Sequence, residues 1–164
     1  MLTQQRLHEL FDYQDDGTLV RRKSGKPVVC NMGSRRYLRV NVDGKAVALH
    51  RVIYLYHHGV LPDVVDHADN NRSNNRIENL REATQQENCL NRVRHSNSRS
   101  PFKNVYWSKA ANKWQVQITI NGRRKYLGVF SDIELADLVA QEARNTFHGN
   151  FVNHGGVPWH ILLK

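Results

Sequence analysis

Val64-Val65-Asp66-His67, then Ala68-Asp69-Asn70-Asn71-Arg72-Ser73-Asn74-Asn75, then Arg76-Ile77-Glu78-Asn79-Leu80-Arg81-Glu82-Ala83 is the stretch on which the reading of this chain turns. Its first four residues predict a short apolar strand ending on an adjacent carboxylate and imidazole. The run rich in Asp and Asn after it is turn-forming, because these side chains bond their own backbone two residues on and tolerate positive φ. Residues 76–83 predict a second short strand, with Asn79 and Leu80 inside it. Thr84 and Glu87 make a capping box for a helix with Asn88 and Asn91 on it. A strand, a polar loop, a strand and a helix would bring Asp66, His67 and Asn88 together.

Such a group supports metal-assisted phosphodiester hydrolysis. A carboxylate and an amide oxygen hold one hard divalent cation, which clamps the scissile phosphate and stabilises the leaving 3′ oxygen. A neutral, unligated His67 then takes a proton from the attacking water. Neighbouring side chains on a strand point to opposite faces, so Asp66 and His67 share a site only if the strand ends or twists there. The turn immediately after them permits this.

His50-Arg51, Asp66-His67-x-Asp69-x-Asn71, Asn74-Asn75-Arg76-Ile77-Glu78-Asn79-Leu80-Arg81 and Glu87-Asn88 resemble the HNH nucleases, in their phage and intron homing-endonuclease branch, over most of 50–91. The resemblance implies a ββα-metal module that cuts DNA. By it Asp66 is a metal ligand, His67 the general base, Asn79 the residue that holds the loop and orients the base, and Asn88 the second metal ligand. Many members have His at the position of Asn88; the Asn matches a His-Asn-Asn subclass and implies Mg²⁺ or Mn²⁺, with no zinc. Asn70 stands where Gly is usual, a change that a residue tolerant of left-handed backbone accommodates. Asp69, Asn70, Asn71, Asn74 and Asn75 read as turn formers. Arg51, Arg72, Arg76 and Arg81 read either as phosphate contacts or as ion-pair partners of Glu78 and Glu82.

Upstream, residues 36–42 alternate polar and apolar, Asp43-Gly44 is a hairpin turn, and Lys45 to Leu49 return as the partner strand. His50 to His58 predicts a helix ended by Gly59. His57-His58 read as its solvated end rather than a metal site. Residues 1–35 receive no assignment. Downstream, 92–101 is polar, Ser-rich and closed by Pro101, which predicts a basic linker. Lys113 to Ile120 then alternates strictly, with Trp114, Val116, Ile118 and Ile120 on one face and Lys113, Gln115, Gln117 and Thr119 on the other. Asn121-Gly122 turns the chain into a return strand from Arg123 to Phe130, and a shorter strand around 104–107 precedes both. Ser131 and Glu134 make a capping box for a helix whose apolar positions are Ile133, Leu135, Ala136, Val139, Ala140, Ala143 and Phe147.

The sheet's polar face offers Gln, Thr, Lys and Arg, the residue types that reach phosphates and base edges. Val105-Tyr106-Trp107, Trp114, Tyr126-Leu127-Gly128-Val129-Phe130 and the Ala-rich helix ending in Phe147-His148-Gly149-Asn150-Phe151 resemble the ethylene-response-factor (APETALA-type) DNA-binding domain over about 102–152. That resemblance implies a sheet lying in the major groove. Trp114 and Phe130 read as core, Trp107 as core or contact, and Lys103, Arg123 and Arg124 as contacts.

Charge sharpens the expectation of a polyanionic partner. The 164 residues have a net charge of +9 and a pI near 9.9. Residues 1–87 hold 13 basic and 11 acidic side chains, residues 88–131 hold 9 basic and none acidic, and residues 132–164 hold 2 and 4. The excess therefore sits in one segment, whose Lys and Arg would release counterions from phosphate on binding. A hydrophobic content of 40% excludes a wholly disordered chain, and no stretch has the roughly 18 apolar residues of a membrane span. The N-terminus lacks the apolar run of a signal peptide, so an intracellular place is expected, in the cytoplasm of a bacterial or phage-infected cell. Cys30 and Cys89 have no close partner in sequence and read as free thiols.

The expectation is an α+β chain. Residues 1–91 form an HNH nuclease module with an N-terminal β-hairpin, 92–101 a basic linker, 102–152 a three-stranded antiparallel sheet with one helix, and 153–164 a tail whose Trp159, Ile161, Leu162 and Leu163 pack back. Its partner is double-stranded DNA, with no membrane, and the protein acts as a monomer. DNA contacts are expected from Arg51, Arg92, Arg94, Arg99, Lys103, Trp107, Gln115, Gln117, Arg123 and Arg124. The competing readings are a non-enzymatic DNA-binding protein that uses the HNH module as a scaffold, and an RNA-directed protein.

Overall fold

The computed structural model describes residues 2–33, 37–91 and 99–154, so Arg92, Arg94 and the apolar end of the tail lie outside the described residues. The architecture is α+β, in two compact units, Met1–Thr84 and Gln85–Lys164.

The first unit opens with α1 (Gln4–Leu10), capped by the Thr3 hydroxyl, which accepts from the Arg6 N–H at 3.2 Å. Next come β1 (Phe11–Tyr13), β2 (Leu19–Arg21) and β3 (Lys26–Pro27), an antiparallel sheet in sequence order. A second such sheet joins β4 (Asn31–Met32), β5 (Leu38–Val42) and β6 (Lys45–Ala48). Asp43 (φ 47°) and Gly44 (φ 80°) both occupy the left-handed region, as a tight hairpin between β5 and β6 demands. Then α2 (Leu49–His58) ends at Gly59, whose N–H bonds the Leu55 carbonyl. Finally β7 (Val64–His67) pairs antiparallel with β8 (Leu80–Ala83).

The segment without a sequence assignment turns out to build the core. Leu7, Phe11 and Leu19 are fully buried beside Val40, Val52 and Ile53. Each such side chain contributes about 1.5–3 kcal/mol by leaving water. One expectation is corrected here: Asn79 lies in a 3₁₀ turn, Ile77–Asn79, and not within the strand. The Asn79 N–H bonds the Arg76 carbonyl at 3.0 Å, so the chain is still turning when pairing begins at Leu80.

The second unit holds α3 (Gln85–Leu90), β9 (Val105–Ser108), β10 (Lys113–Ile120), β11 (Arg123–Phe130) and α4 (Ile133–His148). The strands form the expected antiparallel sheet, in the order β11-β10-β9. Val116 faces Gly128 and Gln117 faces Tyr126, so Leu127 is one residue extra, a β-bulge. Phe102, Val105, Val116, Ala136 and Ala140 make the core. The Lys103 ammonium donates to the carbonyls of Leu90 (2.7 Å) and Asn153 (2.9 Å), and the Asn153 amide donates to Asn91. These bonds tie α3 to the second unit, and the unit boundary precedes the composition break at 92.

Two details of α4 differ from expectation. Its cap is Asp132 and not Ser131: the Asp132 carboxylate accepts from the N–H groups of Glu134 (2.7 Å) and Leu135 (3.4 Å). The buried face is also more polar, with Arg144 at 0% exposure while Leu135 and Phe147 are 49% and 43% exposed. Alanines let the helix approach the sheet closely. Arg144 then finds the Lys103 carbonyl at 2.7 Å, Asn104 Oδ1 at 3.2 Å and the Asp137 carboxylate at 3.7 Å.

Candidate active site

β7 stops at His67 because the chain reverses there. The Asn70 N–H bonds the His67 carbonyl, Asn70 adopts φ 61°, and the Ala68 N–H bonds the Asn79 carbonyl. The register sets Asp66 opposite Arg81 and His67 opposite Leu80, so the two side chains leave the strand on opposite faces.

On one face the Asp66 carboxylate, nearly buried, accepts from Arg81 Nε (3.2 Å) and Nη2 (3.0 Å), both on Oδ2. The arginine thus pairs with this carboxylate across the ladder. On the other face His67 lies 5.0 Å, ring to ring, from His50 of α2. Tyr37 covers both imidazoles, 4.8 Å from His50 and stacked 6.0 Å from His67, and the Arg72 guanidinium sits 4.8 Å over the Tyr37 ring. Burial, with smaller contributions from His67 and Arg51, pushes the His50 pKa down to about 3. Burial also lowers that of His67, against the opposing pull of its bond to Asn75 and of Asp69 and Asp66. Both rings are therefore neutral near pH 7.

His67 Nε2 lies 3.1 Å from Asn75 Oδ1, both residues being buried. The Asn75 amide nitrogen donates to the Ser73 carbonyl, which orients the amide with its oxygen toward the ring. Nε2 therefore carries the proton and Nδ1 the lone pair. Asp69 fastens the rest of the loop, accepting from the Asn71 N–H and from the amides of Asn74 and Asn79 at 2.7–2.9 Å. Asn79 closes the circuit: its Oδ1 accepts from the Asp69 N–H and its Nδ2 also donates to the Asn74 carbonyl.

Comparison with known proteins places this arrangement. Residues 47–90 match the family model for HNH endonuclease. Over 111 residues the chain is 30% identical to protein 3.8 of Escherichia phage T7, covering 65% of this chain and 89% of the phage protein. This chain belongs to the same family as that phage protein and contains an HNH endonuclease domain. It is also similar to a solved structure of DNA binding and cleavage by the HNH homing endonuclease I-HmuI, with 26% identity, 71% of each chain covered and a TM-score of 0.44.

Within the HNH domain, Asp66, His67 and Asn79 belong to one compact unit, whereas Asn88, half-buried on α3, belongs to the other. Arg51 donates to the Asp63 carbonyl at 2.9 Å. Among the described residues, no cluster of three or more His, Cys, Asp or Glu is placed to hold a metal, and Cys30 and Cys89 are free. No described helix is long and apolar enough to cross a membrane.

In the second unit, Asn104, Tyr106, Gln115, Gln117, Thr119 and Arg124 line a groove of about 290 Å³ on the polar side of the sheet. Gln115, Gln117 and Arg124 of the expected contacts meet there. Arg123 is exposed at the hairpin, outside that lining. Trp107 pairs with Trp114 across the ladder and packs edge-on against it at 4.9 Å, so it occupies the opposite face, with Arg99 5.3 Å over its ring. Lys103 turns inward, as described, and burial pushes its pKa down to about 8. It is a structural tie and not a residue of the polar face. Sequence reasoning had a motif for Asp66, His67 and Asn79 but missed Tyr37 and Arg144, and it read Asn75 only as a turn former. Tyr37 has no local signal.

Proposed function

We propose that this protein is a metal-dependent endonuclease that hydrolyses phosphodiester bonds in double-stranded DNA, a homing-type site-selective nuclease acting as a monomer in a phage-infected cell. The observation that supports this most is the neutral, buried His67 imidazole, its Nε2 proton held by Asn75, at a strand end where Asp66 sits next to it in an HNH domain. In this reading His67 Nδ1 accepts the proton of the attacking water as general base. Asn79 keeps the loop, and so the ring, in position.

Asp66 is the metal ligand on this unit, and the HNH pattern names Asn88 as the second. A carboxylate and an amide oxygen are hard donors, a set suited to Mg²⁺ or Mn²⁺. The cation supplies Lewis-acid stabilisation of the leaving oxygen. Arg81 holds the Asp66 carboxylate by one oxygen and keeps it oriented.

The second unit selects where cutting happens, as an ethylene-response-factor-like DNA-binding domain. A phosphate-centred site is blind to sequence, so discrimination needs base-edge contacts or DNA deformation elsewhere. Gln115, Gln117 and Arg124 in the polar groove have the right donors and acceptors, and Arg92, Arg94, Arg99 and Arg123 add charge for phosphate.

Conversion of supercoiled plasmid to nicked or linear DNA tests the proposal, with Mg²⁺ or Mn²⁺, with EDTA, and with His67→Ala. Cutting that needs the metal and falls about 10²–10⁴-fold in His67→Ala is expected. Tight DNA binding without any cutting by the wild type would leave the scaffold reading in its place.

A further inference from the structure

Resting on that reading, we infer that Asn75 is a positioning residue for His67, and that the N-terminal β-hairpin, outside the HNH domain, exists in part to hold it there. Asn75 is 2% and His67 4% exposed, and their bond is made in a place where water cannot substitute for either partner. An imidazole has two neutral tautomers of similar energy, and the partner of one nitrogen decides which is present. The Asn75 amide presents oxygen and not nitrogen to Nε2, because its NH₂ is committed to the Ser73 carbonyl. With Nε2–H donating, the basic nitrogen is Nδ1; the other tautomer would place a proton where the base must accept one.

The hairpin formed by β1 and β2 supports this bond from behind. The Tyr13 hydroxyl accepts the Ile77 N–H at 3.0 Å, two residues after Asn75. Gly17, at φ 84° in the turn, leaves its missing Cβ position 2.5 Å from the Arg76 nitrogen and 2.6 Å from the Asn75 carbonyl carbon. Only glycine lets this turn lie so close to the Asn75–Arg76 peptide. The turn and the Tyr13 hydroxyl thus fix the backbone on the C-terminal side of Asn75, while Asp69 and Asn79 fix the loop on its N-terminal side.

Long-range ¹H–¹⁵N spectra of the His67 imidazole in the full-length protein, at mildly alkaline pH without metal, read the tautomer directly. The wild type should show Nε2–H alone. Asn75→Ala should show both tautomers and lose roughly 10–100-fold in kcat on plasmid DNA with KM little changed, as losses of supporting hydrogen bonds around such sites do. Gly17→Ala should move the same way, by a smaller factor, with His67 and Asn75 both intact. A wild-type Nδ1–H tautomer, or an Asn75→Ala protein with wild-type tautomer and kcat, overturns the inference, and the wild-type spectrum needs no variant to fold. If the protein never cuts but its tautomer follows Asn75, the nuclease proposal fails and the positioning of His67 stands.

Discussion

The two units bury polar groups for different ends. In the first, the large apolar side chains Leu7, Phe11, Leu19 and Ile53 fill the core, and the buried polar residues His50, Asp66, His67 and Asn75 gather at one strand end. In the second, the core is small and alanine-rich, and the buried polar residues include Asp137, Arg144 and His148 of α4. Arg144 bonds main-chain and side-chain oxygens of the segment that leads into β9. Burial of polarity alone therefore does not mark a reactive site. What distinguishes the first unit is that its buried ring and carboxylate, His67 and Asp66, are adjacent at the end of one strand, whereas Asp137, Arg144 and His148 of the second are spread along α4, with Arg144 and His148 bonded to other segments.

The largest break in this contrast should come from Arg144→Met. It strips Asp137, Asn104 and the Lys103 carbonyl of a buried cation, which costs roughly 3–5 kcal/mol. All three tryptophans, Trp107, Trp114 and Trp159, follow residue 85, so their fluorescence in a urea titration reports the second unit. A midpoint unchanged from wild type would show that Arg144 is no structural tie.

A more gradual effect concerns pH and the first unit. His50 has a folded pKa of about 3 against an unfolded value near 6.5, so below pH 6.5 the unfolded chain binds a proton that the folded one refuses. Stability should fall as pH drops from about 6.5 toward 3, with a slope of up to about 1.4 kcal/mol per pH unit from this group. His50→Leu should flatten that slope in urea unfolding followed by far-ultraviolet circular dichroism; equal slopes would remove His50 as the cause.

The smallest effect belongs to the groove. Arg124→Ala should weaken DNA binding and reduce the slope of log affinity against log salt by about 1, with the cutting rate of bound DNA unchanged. Binding isotherms at several salt concentrations decide it, and an unaltered slope would take Arg124 out of the interface.

The strands, hairpins and helices were legible wherever local chemistry is strong. Asp43-Gly44 and Asn121-Gly122 demand positive φ, and Lys113 to Ile120 alternates with period two. Legibility stopped where a choice depends on what packs nearby. Asp132 displaced Ser131 as the cap of α4, and Asn79 was drawn into a turn by its bonds to Asp69 and Asn74.

By itself the sequence determined the α+β class, the hairpins and the basic segment, because these follow from residue type, spacing and period along the chain, and its resemblance to the HNH nucleases pointed to Asp66, His67 and Asn79 as candidates. Only the tertiary structure decided that Arg81 pairs with Asp66, that Asn75 holds His67, that Lys103 turns inward and that Arg144 is buried. A side chain's partner depends on which distant backbone reaches it, and that distance is settled by packing rather than by neighbours in sequence.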